Sequence, residues 1–406
     1  MNVLFLSLSS LRFGKGHGIY QDLIEELLEN GHKVYAVSPR ERREHLPTEL
    51  VETNGIQVLY VKCGNIQKCN FIEKGISNIT IEHHYYNAIK KYYKDITFDL
   101  ILYPTPPIFL IKPIRFIKKR DKASSYLMLK DIFPQNALDL GIMTDRGPMG
   151  IMYRMFRAKE KKLYAVSDRI GCMSPANVQY LLKHNPQILP EKVGLCVNSF
   201  GLDKAEKPIP SKEEIREKYQ LPQDKLLFVY GGNLGKPQGI DHLINCMKAA
   251  RDMQDVHFLV VGNGMEFHKV EDFGKETDNL TVMRSLPAEE FDEMLFGCDA
   301  GMIFLDHRFT IPNFPSRILS YMQAGLPVLS CTDENTDVGS IAQNNGFGWS
   351  CCSDDVNAFC KTLETAVADL QREETCKAMS ESSQKYLQEY YSVKETYTQI
   401  FSQLGE

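Results

Sequence analysis

The chain has 406 residues, 43% hydrophobic and 24% charged, which is ordinary globular usage and excludes a disordered or collagen-like chain. Its 47 basic and 52 acidic residues leave a net charge of -5, which argues against a dedicated nucleic-acid binder. At about 150 residues per domain the length predicts two or three domains, and no apolar run approaches the ~18 residues needed to span a bilayer.

Met1-Asn2-Val3-Leu4 opens directly on a strand-like run with no charged leader, so the expected address is the cytoplasm. The 11 cysteines are scattered, and none shows the paired two-residue spacing of a structural zinc site. They are expected to be reduced thiols acting as small hydrophobes.

Short apolar runs then alternate with amphipathic stretches, the signature of βαβ units and parallel sheets. Strands are expected at Val3 to Leu8, Lys33 to Ser38, Gln57 to Val61, Leu100 to Tyr103, Ser125 to Leu129, Arg169 to Met173 and Lys192 to Val197. A helix follows the first, with Ile19, Leu23, Leu27 and Leu28 on one face and Gly31 past its end. Pro107 to Arg120 mixes apolar residues with Lys112, Arg115, Lys118, Lys119 and Arg120. It reads either as a core helix with a solvated basic end or as a helix lying on an anionic bilayer surface.

Near residue 205 the texture becomes polar and proline-bearing, and Ser211 with Glu214 three residues on forms a capping box. A second alternation starts there, with strands expected at Leu226 to Tyr230, His257 to Val261, Leu280 to Met283, Ala300 to Leu305 and Val328 to Ser330. The expected organisation is therefore residues 1–204 and 205–382 as two Rossmann-like α/β domains facing each other across a cleft.

Four segments carry candidate chemistry. Gly14-Lys15-Gly16-His17-Gly18 leads into the first helix and could bring backbone amides to an anion. Its spacing is not that of a dinucleotide fingerprint, and a plain turn is the competing reading. Gly231 to Gly239 contains Asn233 and Lys236 and opens a helix near Ile240, a combination able to cradle phosphate. It lacks the Gly-Lys-Ser/Thr ending of a P-loop. Gly262-Asn263-Gly264 closes the next strand, and Asn313-Phe314-Pro315-Ser316-Arg317 opens a helix where Arg317 could fork onto a phosphate. No Asp-x-Asp occurs in the chain, so no carboxylate-held metal clamp for a diphosphate is expected.

The order of these motifs resembles the GT-B glycosyltransferases, specifically the family 4 group that includes bacterial capsule, O-antigen and exopolysaccharide transferases. The resemblance rests on Gly16-His17-Gly18 through Gly31-His32-Lys33-Val34, Asp131-Ile132-Phe133-Pro134 with Asp139-Leu140-Gly141, and Asn198 to Asp203. In the second half it rests on Gly231 to Gly239, Gly262 to Gly264, Ser285-Leu286-Pro287 and Ala324-Gly325-Leu326-Pro327-Val328.

The resemblance implies a nucleotide diphosphate-sugar donor, with uridine as the expected nucleotide, used as a substrate with no cofactor and no metal. Gly16, Gly18, Asn233, Lys236, Gly262, Gly264, Ser285, Leu286, Phe314, Pro315, Ser316 and Arg317 then fall at donor-binding positions. Lys236 and Arg317 are expected to stabilise the leaving diphosphate, without a protein nucleophile and with retention. His17 and Asp131 fall on the acceptor side, where Asp131 either deprotonates a hydroxyl or merely caps a helix.

The family's paired glutamates, eight positions apart, are replaced by Pro312 and Ser320, which leaves a catalytically silent nucleotide-sugar-binding subunit or a GT-B epimerase as rivals. The expected acceptor is a saccharide, in particular one linked to polyprenyl diphosphate at the inner membrane face. A last helix over 383–406 is expected to cross back onto the first domain.

Overall fold

The computed structural model describes residues 1–11, 18–66, 71–201 and 209–405, and of residues 71–76 and 78 it describes the backbone only. Contacts divide the chain into two units, Met1–Gly201 with Val393–Glu406 and Leu202–Ser392.

The first unit holds β1 (Asn2–Leu6), β2 (Lys33–Glu41), β3 (Glu49–Thr53), β4 (Ile56–Cys63), β5 (Leu100–Pro104), β6 (Ser124–Leu129), β7 (Arg169–Cys172) and β8 (Val193–Leu195). They form one sheet in the order β3-β4-β2-β1-β5-β6-β7-β8, parallel except for β3 against β4. The parallel strands are continuous apolar runs because helices cover both faces, and β5 is buried along its whole length.

β3 is absent from the sequence expectations. It is the outer arm of a hairpin closed by Asn54-Gly55, both at positive φ, which is the turn pair best suited to right-twisted strands. Its residues are half exposed or exposed, so periodicity alone does not mark it.

The second unit holds β9 (Leu226–Asn233), β10 (Val256–Asn263), β11 (Leu280–Arg284), β12 (Ala300–Phe304), β13 (Val328–Thr332) and β14 (Gly348–Cys352), all parallel in the order β11-β10-β9-β12-β13-β14. The chain builds outward from β9 to β11, then returns to place β12 on the other side of β9. The junction between β9 and β12 is thus the topological switch point, outside whose carboxyl ends α/β sheets bind ligands. Each unit is a Rossmann-like parallel sheet covered by helices.

Two expectations change. The terminal helix over 383–406 is two helices, Glu373–Tyr390 and Val393–Leu404, and only the second belongs to the first unit. Ser383 is fully buried with its hydroxyl donating to Leu326 O at 3.1 Å, which ties the earlier helix to the second unit. In the later helix Ile400 and Phe401 join the first core, and Phe401 stacks on His32 with ring centres 4.9 Å apart.

The basic segment after β5 is a core helix, Ile111–Asp121, with Ile111, Ile114 and Ile117 buried. Two of its cations, Lys118 and Arg120, are used internally, while Arg115 and Lys119 are exposed. Arg120 donates to Tyr93 O at 2.9 Å, and Lys118 Nζ reaches Val166 O and the Asp168 carboxylate, each at 2.7 Å. The apolar face that a bilayer-lying helix would need is already covered.

Candidate functional site

At the switch point of the second sheet, β9 ends in Gly231, Gly232 and Asn233. Gly231 lets the sheet come close to its cover, because a Cβ there would lie 2.2 Å from the Phe291 ring. Its amide donates to Tyr321 Oη at 2.9 Å, and that hydroxyl donates in turn to Met302 O at 3.2 Å. Tyr321 thus fastens the two strands that flank the switch. Gly232 has φ +118, a conformation that glycine adopts without the steric cost of a side chain.

Arg317 begins the short helix Arg317–Gln323. Its guanidinium lies 4.6 Å from the Tyr230 ring centre and about a van der Waals contact from the place a Gly232 side chain would fill, 3.7 Å to Cζ. Nη1 is buried and has no hydrogen-bond partner. A buried, unpaired donor on this half-buried cation costs about 1–3 kcal/mol, and the cation–π contact returns about 1–2 kcal/mol. This is an arrangement that an anion would complete.

The loop continues as a tight turn, Lys236–Gln238, ending at Gly239 with φ +59. Asn233 Nδ2 donates to Gln238 Oε1 at 2.9 Å, and Asp306 N donates to Pro237 O at 3.0 Å, so the loop is held both to itself and to the end of β12. Lys236 is exposed, and among the described residues its ammonium enters no ion pair. Asp306 is spoken for: burial raises its pKa, but forked hydrogen bonds from Arg308 at 2.8 and 2.7 Å outweigh this and hold the carboxylate below its ordinary range. Among the described residues, Lys236 and Arg317 are cations left open at this edge.

Gly262 and Gly264 have a packing reason of their own. A Cβ at Gly262 would lie 1.9 Å from Gly232 O, and one at Gly264 would lie 2.1 Å from Leu234 O. These glycines let the β10 loop pass against the β9 loop. Ser285 and Leu286 follow Arg284, the register partner of Gly262 on β11, and Ser285 is exposed.

Phe314 departs from its expected donor contact. It is 3% exposed and stacks on Tyr391, ring centres 5.6 Å apart, so its ring is core. Pro315 is half-buried and Ser316 exposed at the same helix start, and Ser316 makes no side-chain cap. Ser320 lies within that short helix and Pro312 is buried before it.

In the first unit Asp131 lies just beyond the carboxyl end of β6. Its backbone N–H donates to Thr105 Oγ1 at 3.3 Å, and Asn136 Nδ2 donates to its two carboxylate oxygens at 2.8 and 2.9 Å. Burial raises the carboxyl to about 6, against the smaller opposing effect of a backbone hydrogen bond at Ile132 and the Asn136 amide. The helix-cap reading fails, since the helix Gln135–Asp139 starts from Pro134 with no side-chain cap.

Gly16 and His17 lie outside the described residues. Gly18 precedes the helix Ile19–Glu29 in extended backbone, φ -171, and a Cβ there would meet only the movable end of Gln21. Glycine is therefore not demanded by the backbone at 18.

Sequence reasoning missed Tyr230 and Tyr321, which look like ordinary core aromatics until β9 and the Arg317 helix are brought together. It also set all the cysteines aside, because a spacing rule sees only neighbours in the chain. The fold brings His242 and Cys246 to Cys331, 89 residues beyond His242.

Residues 211–386 match the family described as glycosyl transferases group 1. The chain is 22% identical over 274 residues to a probable glycosyltransferase, WbjE, of Pseudomonas aeruginosa, covering 66% of this chain and 65% of the relative. It is 20% identical over 249 residues to the putative colanic acid biosynthesis glycosyl transferase WcaI of Escherichia coli, covering 60% of each. The matches thus span just under two thirds of these relatives.

Among solved structures, a sucrose-phosphate synthase from Thermosynechococcus elongatus superposes over 100% of this chain and 99% of its own, with TM-score 0.77 and 15% identity. Anabaena HepE in complex with UDP-glucose superposes over 100% and 99%, with TM-score 0.68 and 14% identity. These likenesses establish the fold, two Rossmann-like units in the GT-B class.

Proposed function

We propose, from the match of residues 211–386 to the glycosyl transferases group 1 family and from the GT-B fold, that the protein transfers a sugar from a nucleotide diphosphate-sugar to a saccharide in polysaccharide biosynthesis. The observation that carries this reading is Arg317, a half-buried cation whose buried Nη1 donor is open beside Gly232 at the switch point. Diphosphate is the leaving group that such a cation, with Lys236 on the adjoining turn, is suited to neutralise as charge develops.

Uridine is the proposed nucleotide, in keeping with the UDP-glucose complex of the HepE fold neighbour. Gly231 to Gly239 would hold the diphosphate, and Ser285 and Leu286 the base. In the first unit Asp131, with a pKa near neutrality, would orient or deprotonate the acceptor hydroxyl. The proposed chemistry proceeds with retention, with no protein nucleophile and no catalytic metal.

A thermal-shift series over nucleotide diphosphates and their sugar conjugates tests the donor reading. Uridine forms should raise the melting temperature. Lys236→Ala, at an exposed position, should remove the shift while leaving the unliganded melting point in place. Nucleotide release with a saccharide acceptor separates a transferase from a silent binding subunit, which the Pro312 and Ser320 replacements otherwise favour. A donor-binding protein that never releases nucleotide diphosphate would be the silent subunit.

A polyprenyl-diphosphate-linked acceptor is proposed from a second surface. The helix Gly147–Val166 and the turn before it expose Ile142, Met149, Ile151 and Met155. Exposed Arg146, Arg154, Lys161 and Lys162 share this segment. Apolar and basic groups together suit an anionic bilayer surface. No helix among the described residues is long and apolar enough to cross a membrane. Co-sedimentation with anionic vesicles should be salt-sensitive and should weaken with Ile151→Glu. Unaltered pelleting of that variant would remove the membrane part.

A further inference from the structure

Beneath the carboxyl end of the second sheet, behind the glycine loop, three soft donors converge. His242 and Cys246 lie four residues apart on the helix Ile240–Ala249 and so share one face. Cys331 approaches them from β13. His242 Nε2 is 3.3 Å from Cys246 Sγ and 3.4 Å from Cys331 Sγ, and the three donor atoms all lie within 4.8 Å of one another.

In a tetrahedral zinc site, with Zn–N near 2.1 Å and Zn–S near 2.3 Å, adjacent nitrogen and sulfur ligands stand about 3.6 Å apart. The two nitrogen–sulfur distances are thus within a few tenths of an ångström of ligand spacing. We propose that His242, Cys246 and Cys331 form a binding site for one thiophilic cation of the Zn2+ class. Cys351, the register partner of Cys331 on β14, is at hand as a fourth ligand.

Charge supports the choice of ion. Cys246 and Cys331 are fully buried in a core that includes Phe304, Trp349 and Phe359. With His242, Cys246 and Cys331 as the ligands, two thiolates and a neutral imidazole balance a dication and add no net charge to the core, whereas Cys351 joining as a third thiolate would leave the loaded site at -1. Sulfur and imidazole nitrogen favour a soft cation over a hard one such as Mg2+, which prefers an all-oxygen shell. His242 is half-buried, so the site has a rim through which an ion can enter.

The ion would pin the helix Ile240–Ala249, which leads directly out of the glycine loop, to a strand far away in sequence. Its expected effect is on stability, so it stands whether or not the donor reading does.

The test uses the full chain, reduced with a non-thiol, non-chelating phosphine and stripped of metal, then titrated with Cd2+ and separately with Zn2+. Cd2+ should bind at one equivalent with the ultraviolet absorption of thiolate coordination, and either ion should raise the melting temperature. Cys246→Ala and Cys331→Val should abolish the absorption, and His242→Ala should weaken binding at least tenfold. Cys63→Ala, in the first unit, should change nothing. Circular dichroism of each variant identifies any that fail to fold, and His242→Ala, at a half-buried position, keeps the test decisive. Absence of stoichiometric binding by the folded, reduced parent would overturn the site. So would undiminished binding in the folded cysteine variants.

Discussion

Arg317→Met is expected to weaken nucleotide diphosphate binding about 100-fold while barely moving the melting point of the unliganded protein. Hydrogen bonds to charged groups contribute about 1.5–3 kcal/mol each, so losing one corresponds to about one to two decades in affinity, and losing the fork places the effect at the upper end. In the unliganded state two effects of similar size oppose each other. Methionine forfeits the cation–π contact with Tyr230, about 1–2 kcal/mol. It also relieves the unpartnered Nη1, about 1–3 kcal/mol. A merely structural arginine would behave in the opposite way, with a large loss of stability and no selective loss of binding. Isothermal titration with UDP, alongside thermal melts without it, distinguishes the two. Arg317→Lys keeps the charge but not the fork and should fall between parent and methionine variant.

Asp131→Asn should lower kcat/KM by about 10²–10⁴-fold, the range for loss of a positioned acid–base group, and should erase the acid limb of the pH profile. In the parent that limb should fall near pH 6, because burial lifts the Asp131 carboxyl from 3.8 to about 6. Stability should respond with a definite sign. A carboxyl whose pKa is higher folded than unfolded holds its proton more tightly in the native chain, so native stability declines as pH rises from 3.8 to about 6 and then levels. The asparagine variant cannot ionise and should therefore melt at or above the parent temperature at pH 7, the gap closing below pH 3.8. Activity that keeps the same acid limb in Asp131→Asn would assign that ionisation to another group.

Periodicity made most of the sheet framework readable, because parallel strands covered on both faces must be nearly continuous apolar runs. β5 and β13 are buried at every position and lie within a residue or two of where the runs place them. The misses are physical. β3 is a half-exposed edge arm with little apolar signal, although Asn54-Gly55 marks its turn. The last two helices read as one amphipathic stretch, and only packing divides them, with Ser383 against Leu326 in one unit and Phe401 against His32 in the other.

Composition, strand and helix periods and the glycine-rich turns determined by themselves that this chain builds two α/β units and that a glycine-rich loop follows β9, since these are local properties of backbone and solvent preference. Tertiary structure alone decided which cation stands unpaired, that the Phe314 ring is core, that Gly262 and Gly264 are spacers between loops, and that His242, Cys246 and Cys331 meet. Those outcomes depend on residues far apart in the chain being held within a few ångströms, and on burial, which sets the free energy of an unpaired donor or a carboxyl only once neighbours have displaced water.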